Sequence, residues 1–247
     1  MIERKQNILN MLTEDSGITV AEIAKVVGVS VVTVRADLDA LEQDGLIVRT
    51  RGGALPVFHP KIVEQLSSKK EEKQKIAKIA ASIIKDGDSV IIGAGTTTSL
   101  IAKYLFGRKD IHIVTNNTLI LTYARVNPQL RVTLIGGEFR PSEEGVVGPL
   151  ALREIEQFHV SKAFVGTDGV SLKQGFTANF LEGAEFVRKI AEHADEVYAL
   201  ADSAKFGKPG FAKILPFDGV DALICDKDIN KEFEKELIKA KVKVLKG

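Results

Sequence analysis

One cysteine, no tryptophan, three tyrosines and no excess of either charge leave this 247-residue chain without several features that assign a class at once. The single Cys225 excludes an intrachain disulfide framework, and the four histidines, His59, His112, His159 and His193, lack the spacing of metal ligands. No metal and no cofactor are therefore expected. With 34 Lys and Arg against 33 Asp and Glu the formal net charge is +1, so any electrostatic argument for a nucleic-acid partner must be local. No uninterrupted apolar run approaches the roughly 18 residues of a membrane span. The opening MIERKQNILNML interleaves charge with apolar side chains and lacks the apolar stretch of a signal peptide. The expected location is the cytoplasm, with no membrane partner. Cys225 ends the apolar run Ala222-Leu223-Ile224 and reads as a strand residue before it reads as a redox or ligand group.

The composition, 45% hydrophobic and 27% charged, is that of a globular protein, and the length favours two domains. In the first sixty residues, Ile8, Met11 and Leu12, then Val20, Ile23, Ala24 and Val27, recur at three- and four-residue spacing, which predicts two short one-sided helices. Gly17 breaks the first and Gly28 closes the second. Ser30 stands at an N-cap position, and Val34, Leu38 and Leu41 form the buried stripe of a third helix that Gly45 ends. Leu46 to Thr50 is short and β-prone, and Arg51-Gly52-Gly53 supplies a tight turn before Ala54-Leu55. Three helices and a β wing are the order of a winged helix-turn-helix, which sets its third helix into the major groove of double-stranded DNA. Small protein-interaction modules share that order.

Local charge does not separate the two readings. From Met1 to Pro60 there are six Lys or Arg and eight Asp or Glu. Position is more informative: Arg35 lies off the buried stripe, and Arg49 and Arg51 flank the wing tip beside Gly52, where phosphate contacts form. Ser30, Val31, Val32 and Thr33 open the third helix, and at least one of the two valines is expected to face solvent, where it would meet a thymine methyl.

His59 to Ser68 mixes proline, polar and apolar residues without a sustained period and predicts a linker over residues 58–68, between a DNA-binding domain at 1–57 and a second domain at 69–247. Beyond a helix predicted from Lys69 to Lys85, apolar runs at 89–93, 111–115, 131–136, 162–167, 196–201, 222–226 and 241–245 alternate with helical stretches. Such runs imply an α/β fold with a mostly parallel, Rossmann-like sheet covered on both faces, whose ligands bind beyond the carboxyl ends of the strands. The first run ends in Gly93-Ala94-Gly95-Thr96-Thr97-Thr98 and opens a helix, an arrangement of N–H groups and hydroxyls suited to a phosphate. A dinucleotide site fits less well, because the next strand ends in Thr115-Asn116-Asn117 without an acid for a ribose, and no Gly-Lys-Ser/Thr supports a nucleotide triphosphate. Gly136-Gly137, Asp168 and Lys205 follow later strands. Each has a bland reading, as turn, loop cap and solvated cation, but together they describe one ligand edge. The tail KDINKEFEKELIKAKVKVLKG reads as an amphipathic helix and an edge strand.

The stretch VSVVTVRADLDALEQDGLIVRTRGGA resembles the signature of the DeoR family of bacterial sugar-metabolism regulators, with Ala36 in place of the second arginine of an Arg-Arg pair and Arg51 where a histidine is usual. GAGTTTSLIAKYL, VTNN, LIGGEFR, VVGP, AFVGTDGV, GFT with GAEFVRKI, and LADSAKFGK resemble the family's effector domain, with Gly93 where many members carry an aspartate. The resemblance implies a winged helix-turn-helix, an effector domain related to ribose-5-phosphate isomerase, and a repressor whose DNA affinity a sugar phosphate controls. In such a ligand site the loop assigns Gly95, Thr96, Thr97 and Thr98 to the phosphate, and the strand ends assign Asn116, Gly137, Asp168, Glu185 and Lys205 to the rest of the effector. A homodimer or homotetramer suits inverted half-sites. The alternative is a sugar-phosphate isomerase or hydrolase with a DNA-binding appendage, using Asp168, Glu185 and Lys205 as acid-base groups.

Overall fold

The computed structural model describes residues 2–247, which divide into two compact units, one through Ser68 and one over Lys69–Gly247. In the first, helices α1 (Ile2–Glu14), α2 (Val20–Val27) and α3 (Val31–Gln43) pack around Ile8, Leu9, Leu12, Ile23, Val34, Leu38 and Leu41. Strands β1 (Ile47–Arg49) and β2 (Ala54–Pro56) form the antiparallel wing, and Ile47 and Ala54 close the core from its inner side. Arg4 on α1 grips the buried Asp37 of α3 through Nε at 2.6 Å and Nη2 at 3.0 Å, a bidentate tie between the first and third helices.

The segment expected to be a linker is instead helical. Helix α4 (Pro60–Ser67) starts on Pro60, whose missing N–H costs nothing in a first turn, while His59 Nδ1 accepts the Lys61 N–H at 3.2 Å. Ile62 and Val63 are buried, Val63 within the core of the first unit. Ile62, Val63 and Leu66 stand at helical spacing, but Pro60 reads as a breaker unless it is placed in the first turn.

The second unit opens with α5 (Lys70–Ile83) and is built on seven parallel strands: β3 (Ser89–Ile92), β4 (Ile111–Thr115), β5 (Leu130–Leu134), β8 (Val160–Gly166), β11 (Ala194–Ala201), β13 (Ala222–Cys225) and β14 (Lys243–Lys246). Their order across the sheet is β14-β13-β11-β8-β3-β4-β5. All seven apolar runs of the sequence are strands of this sheet. Alternate residues go to opposite faces: Ile91, Ala163, Val165, Val197, Ala199 and Leu223 to one core, and Val90, Ile92, Phe164, Tyr198, Leu200 and Ile224 to the other. Helices α8 (Pro149–Ile155), α9 (Leu181–Glu192) and α10 (Lys231–Lys239) supply side chains to the first core, and α5 and α6 (Thr96–Lys103) to the second. Both faces being apolar, the strands read as continuous hydrophobic runs.

Two additions decorate the sheet beyond what periodicity predicts. Strands β6 (Glu138–Arg140) and β7 (Gly145–Val147) form a hairpin after β5, following the short helix α7 (Leu121–Ala124) that precedes β5. Strands β9 (Gly169–Ser171), β10 (Gly175–Ala178) and β12 (Ala212–Leu215) make a separate antiparallel sheet. The order reverses between β3 and β8: the chain runs outward from β3 through β4 to β5, then returns to lay β8 on the other side of β3. That crevice, at the carboxyl ends, is the ligand position of open α/β sheets.

At the opposite end of these strands Lys162 donates to Asp88 Oδ2 at 2.9 Å, and the Lys85 N–H donates to the same oxygen at 2.8 Å. Burial pushes the Asp88 carboxyl up, but the Lys85 N–H and the Lys162 ammonium outweigh it, and the group ionises below the ordinary aspartate range. The sign follows: the contribution to stability is present above that range and is lost as pH falls through the lowered value. The melting temperature of wild type is expected to fall more steeply with acid below about pH 4 than that of Asp88→Asn, which is destabilised at neutral pH. Parallel curves for the two proteins would remove Asp88 from the account.

Candidate functional site

In the first unit, α2 begins with a capping box in which the Glu22 N–H donates to Thr19 Oγ1 and the Thr19 N–H to Glu22 Oε2. Helix α3 begins at Ser30, whose Oγ accepts the Thr33 N–H at 3.1 Å and lies 2.9 Å from Thr33 Oγ1. Those two hydroxyls satisfy each other and the helix start. The outward face of α3 then carries Val31, Val32, Arg35 and Ala36, all exposed. Arg35 and Arg51 make no side-chain hydrogen bond or ion pair among the described residues. Arg49 is paired within the unit: its guanidinium holds Asp39 of α3 at 2.8 Å, and its N–H donates to Glu42 Oε1 at 3.3 Å. It links the wing to the third helix and neutralises an acid there. Gly52, with φ +96°, makes the wing tip, and its carbonyl accepts the Val20 N–H at 3.3 Å.

In the second unit the turn after β3 is held by its own side chains. Thr98 Oγ1 donates to Gly93 O at 2.7 Å, and Asn117 Nδ2 donates to Gly95 O at 3.0 Å. Asn116 Oδ1 accepts the Ala94 N–H at 2.8 Å, and Asn116 Nδ2 donates to Val146 O at 2.9 Å. Thr98, Asn116 and Asn117 are buried, and their side chains frame the turn. Gly95, with φ +145°, takes a conformation closed to other residues, and a Cβ there would lie 3.1 Å from Thr98 Oγ1. The Ser99 N–H reaches Gly95 O, which leaves the N–H groups of Thr96, Thr97 and Thr98 without a carbonyl in the helix. Among the described residues the hydroxyls of Thr96 and Thr97 also have no partner in the chain. An anion is the complement of that surface.

Gly137 has φ +144° and a Cβ there would meet Val147 O at 2.8 Å, so the absence of a side chain permits the β6/β7 hairpin to close. The neighbouring Gly136 N–H is already bonded to Glu154 Oε2 at 2.7 Å. At Gly93, where an aspartate is common in the resembled family, a Cβ would start 3.4 Å from Ile190 Cδ1 of α9, toward the apolar core. The hairpin itself bridges the crevice's surroundings: Gly145 packs on Ala94, while Arg140 pairs with Glu182 of α9 at 2.9 Å and stacks on Phe180.

Past β8, Asp168 is half-buried, and its Oδ2 accepts the Asn179 N–H at 2.8 Å, leaving Oδ1 without a hydrogen bond among the described residues. Glu185, half-buried on α9, makes no side-chain hydrogen bond among them. Past β11, Asp202 caps a short turn that carries Lys205, and the adjacent Asp226, past β13, accepts the Ser203 N–H at 2.7 Å. Into this group comes Lys73 of α5, a lysine only 5% exposed. Burial pulls its ammonium below the ordinary lysine range, Asp202 opposes that, and Lys205 adds to it. Two cations thus share the carboxyl edge. Sequence reasoning missed Lys73, although it stands three and four residues before Ile76 and Ala77 on the buried stripe of its helix, where a charge needs an explanation.

A family model described as the DeoR-like helix-turn-helix domain matches residues 4–57, and one described as the DeoR C terminal sensor domain matches residues 68–227. The HTH-type transcriptional repressor GlcR of Bacillus subtilis is 35% identical, covering 94% of this chain and 90% of its own. The lactose phosphotransferase system repressor of Lactococcus lactis is 36% identical, covering 94% of each. Among solved structures, ribose 5-phosphate isomerase A of Methanocaldococcus jannaschii superposes with a TM-score of 0.41 at 19% identity, covering 57% of this chain and 56% of that one. No helix among the described residues is long and apolar enough to cross a membrane. With both domain models matched in order and relatives above 30% identity along more than nine tenths of its length, the chain belongs to the DeoR family and is a DNA-binding transcriptional repressor of that type.

Proposed function

We propose that the unit from Lys69 to Gly247 senses a phosphorylated sugar and that occupancy of its crevice sets the affinity of the protein for operator DNA. The observation that carries this reading is the turn at Gly95–Thr98, where three N–H groups and two hydroxyls converge without partners at a helix start. The Thr96 and Thr97 hydroxyls and the N–H groups hold the phosphate. Lys73 and Lys205 supply positive charge along the same edge, and an anion relieves their mutual repulsion. Asp168 and Glu185 take sugar hydroxyls. The description of the matched domain as a sensor, and the name of the lactococcal relative as a lactose phosphotransferase system repressor, both support a sugar-linked ligand. On the DNA side Arg35 reads a base edge, while Arg51 and the Gly52 turn lie on phosphate. The working form is a homodimer or homotetramer on inverted half-sites.

A thermal-shift screen of the full chain against aldose and ketose phosphates tests the reading. At a hundredfold excess over its Kd, a bound phosphosugar adds about 2.7 kcal/mol of stability, a shift of several degrees. One or a few members of the panel are expected to give it, with no product formed. A flat screen would overturn the sensor reading. Turnover of any member would replace it by the isomerase or hydrolase alternative.

A further inference from the structure

The first two turns of α3 carry an apolar surface for which the fold has no use. Val34, Asp37, Leu38 and Leu41 face the core, while Val32 on the outward face is 75% exposed. Val31 beside it and Val26 near the end of α2 are also exposed. An exposed valine lowers helix propensity without a compensating contact. The polar groups around it are already engaged: Ser30 and Thr33 cap the helix, and Asp39 in the next turn is held by Arg49. What this helix start offers a base pair is therefore the guanidinium of Arg35, the methyls of Val32, those of the less exposed Val31, and the single methyl of Ala36.

A major groove presents hydrogen-bonding edges and one apolar feature, the C5-methyl of thymine. Valine satisfies no edge donor or acceptor, and pressed on a guanine or cytosine edge it would strip water without replacing it. Against a thymine methyl it buries carbon on carbon. Val32 and Arg35 are three residues apart on one helix face, about 5–6 Å between Cβ atoms, which spans one or two base steps of about 3.4 Å. We propose that Val32 reads a thymine methyl within two base pairs of the base held by Arg35, so that each operator half-site carries an obligatory thymine there. The inference rests on the DNA-reading assignment of α3 and adds the base class that the helix selects.

The test begins with the full chain and a random duplex library. Enriched duplexes are resynthesised with single thymine-to-uracil replacements, which remove only the methyl, and titrated by fluorescence anisotropy at one salt concentration with wild type and Val32→Ala. One position per half-site is expected to weaken wild type about fourfold, the worth of one buried methyl group. Val32→Ala should bind the thymine and uracil duplexes equally. Uracil tolerated everywhere by wild type, or a penalty that persists in Val32→Ala, would overturn the proposal. So would an unchanged methyl dependence with altered self-association, which would assign Val32 to a protein contact. Failure to enrich any sequence would instead remove the DNA-reading assignment on which the inference stands.

Discussion

Thr97→Glu is expected to leave DNA binding intact and to abolish its response to every sugar phosphate. Thr97 is half-buried in the first turn of α6, and its hydroxyl has no partner among the described residues, so its loss breaks no bond of the fold. A glutamate in that turn is favourable to the helix, whose positive end attracts it. The same attraction seats a carboxylate where the phosphate belongs, and like charge then excludes the ligand. Charge-assisted hydrogen bonds are worth roughly 1.5 to 3 kcal/mol each, so losing two or more weakens the effector on the order of a hundredfold or beyond. Operator titrations with and without the phosphosugar read the outcome directly. A variant that still responds would move the anion away from Gly95–Thr98.

On the DNA side, Arg35→Ala is expected to have the largest effect. Arg35 stands exposed on α3 with no ion pair among the described residues, one turn from Val32, and a bidentate contact from such a position is worth about 1 to 3 kcal/mol. Operator affinity is expected to fall about 5- to 150-fold, with relaxed preference at one base pair. Arg51→Ala at the wing tip should instead weaken operator and random DNA alike and reduce the salt slope by about one. Arg49 is expected to follow neither pattern, because its guanidinium is held by Asp39. Equal operator affinity for wild type and Arg35→Ala at matched salt would take Arg35 out of the base-reading set.

The parts of this molecule written in local pattern were legible in its sequence. Seven apolar runs became seven parallel strands because burial on both faces leaves no room for polar alternation. Ser30 capped α3 because its hydroxyl reaches the Thr33 N–H with only helix geometry to satisfy. What was not legible depends on partners distant in sequence. Strands β6, β7, β9 and β10 are three or four residues long, too short to announce themselves, and the chain packs closely around them at glycines such as Gly137 against Val147 and Gly169 against the carbonyl of Lys208. Helix α4 was hidden by Pro60, which reads as a breaker although it stands in the first turn. At the site, the threonines and asparagines of GAGTTT and TNN look alike as letters, yet Thr98 and the two asparagines frame the turn while Thr96 and Thr97 leave it open. That division follows from helix phase and from the neighbouring strand β4, and Lys73 enters the edge from a helix that precedes the first strand.

Calorimetry of the full chain with a phosphosugar identified by thermal shift, and with the same sugar lacking its phosphate, tests the central claim most directly. If the N–H groups and hydroxyls at Gly95–Thr98 hold the phosphate, removing that group takes away the contacts of the turn together with the charge balance at Lys73 and Lys205. Saturable binding of the phosphate is expected, with no measurable binding of the free sugar at the same concentrations. Equal affinity for the two would contradict it and reduce the turn to a connection between a strand and a helix.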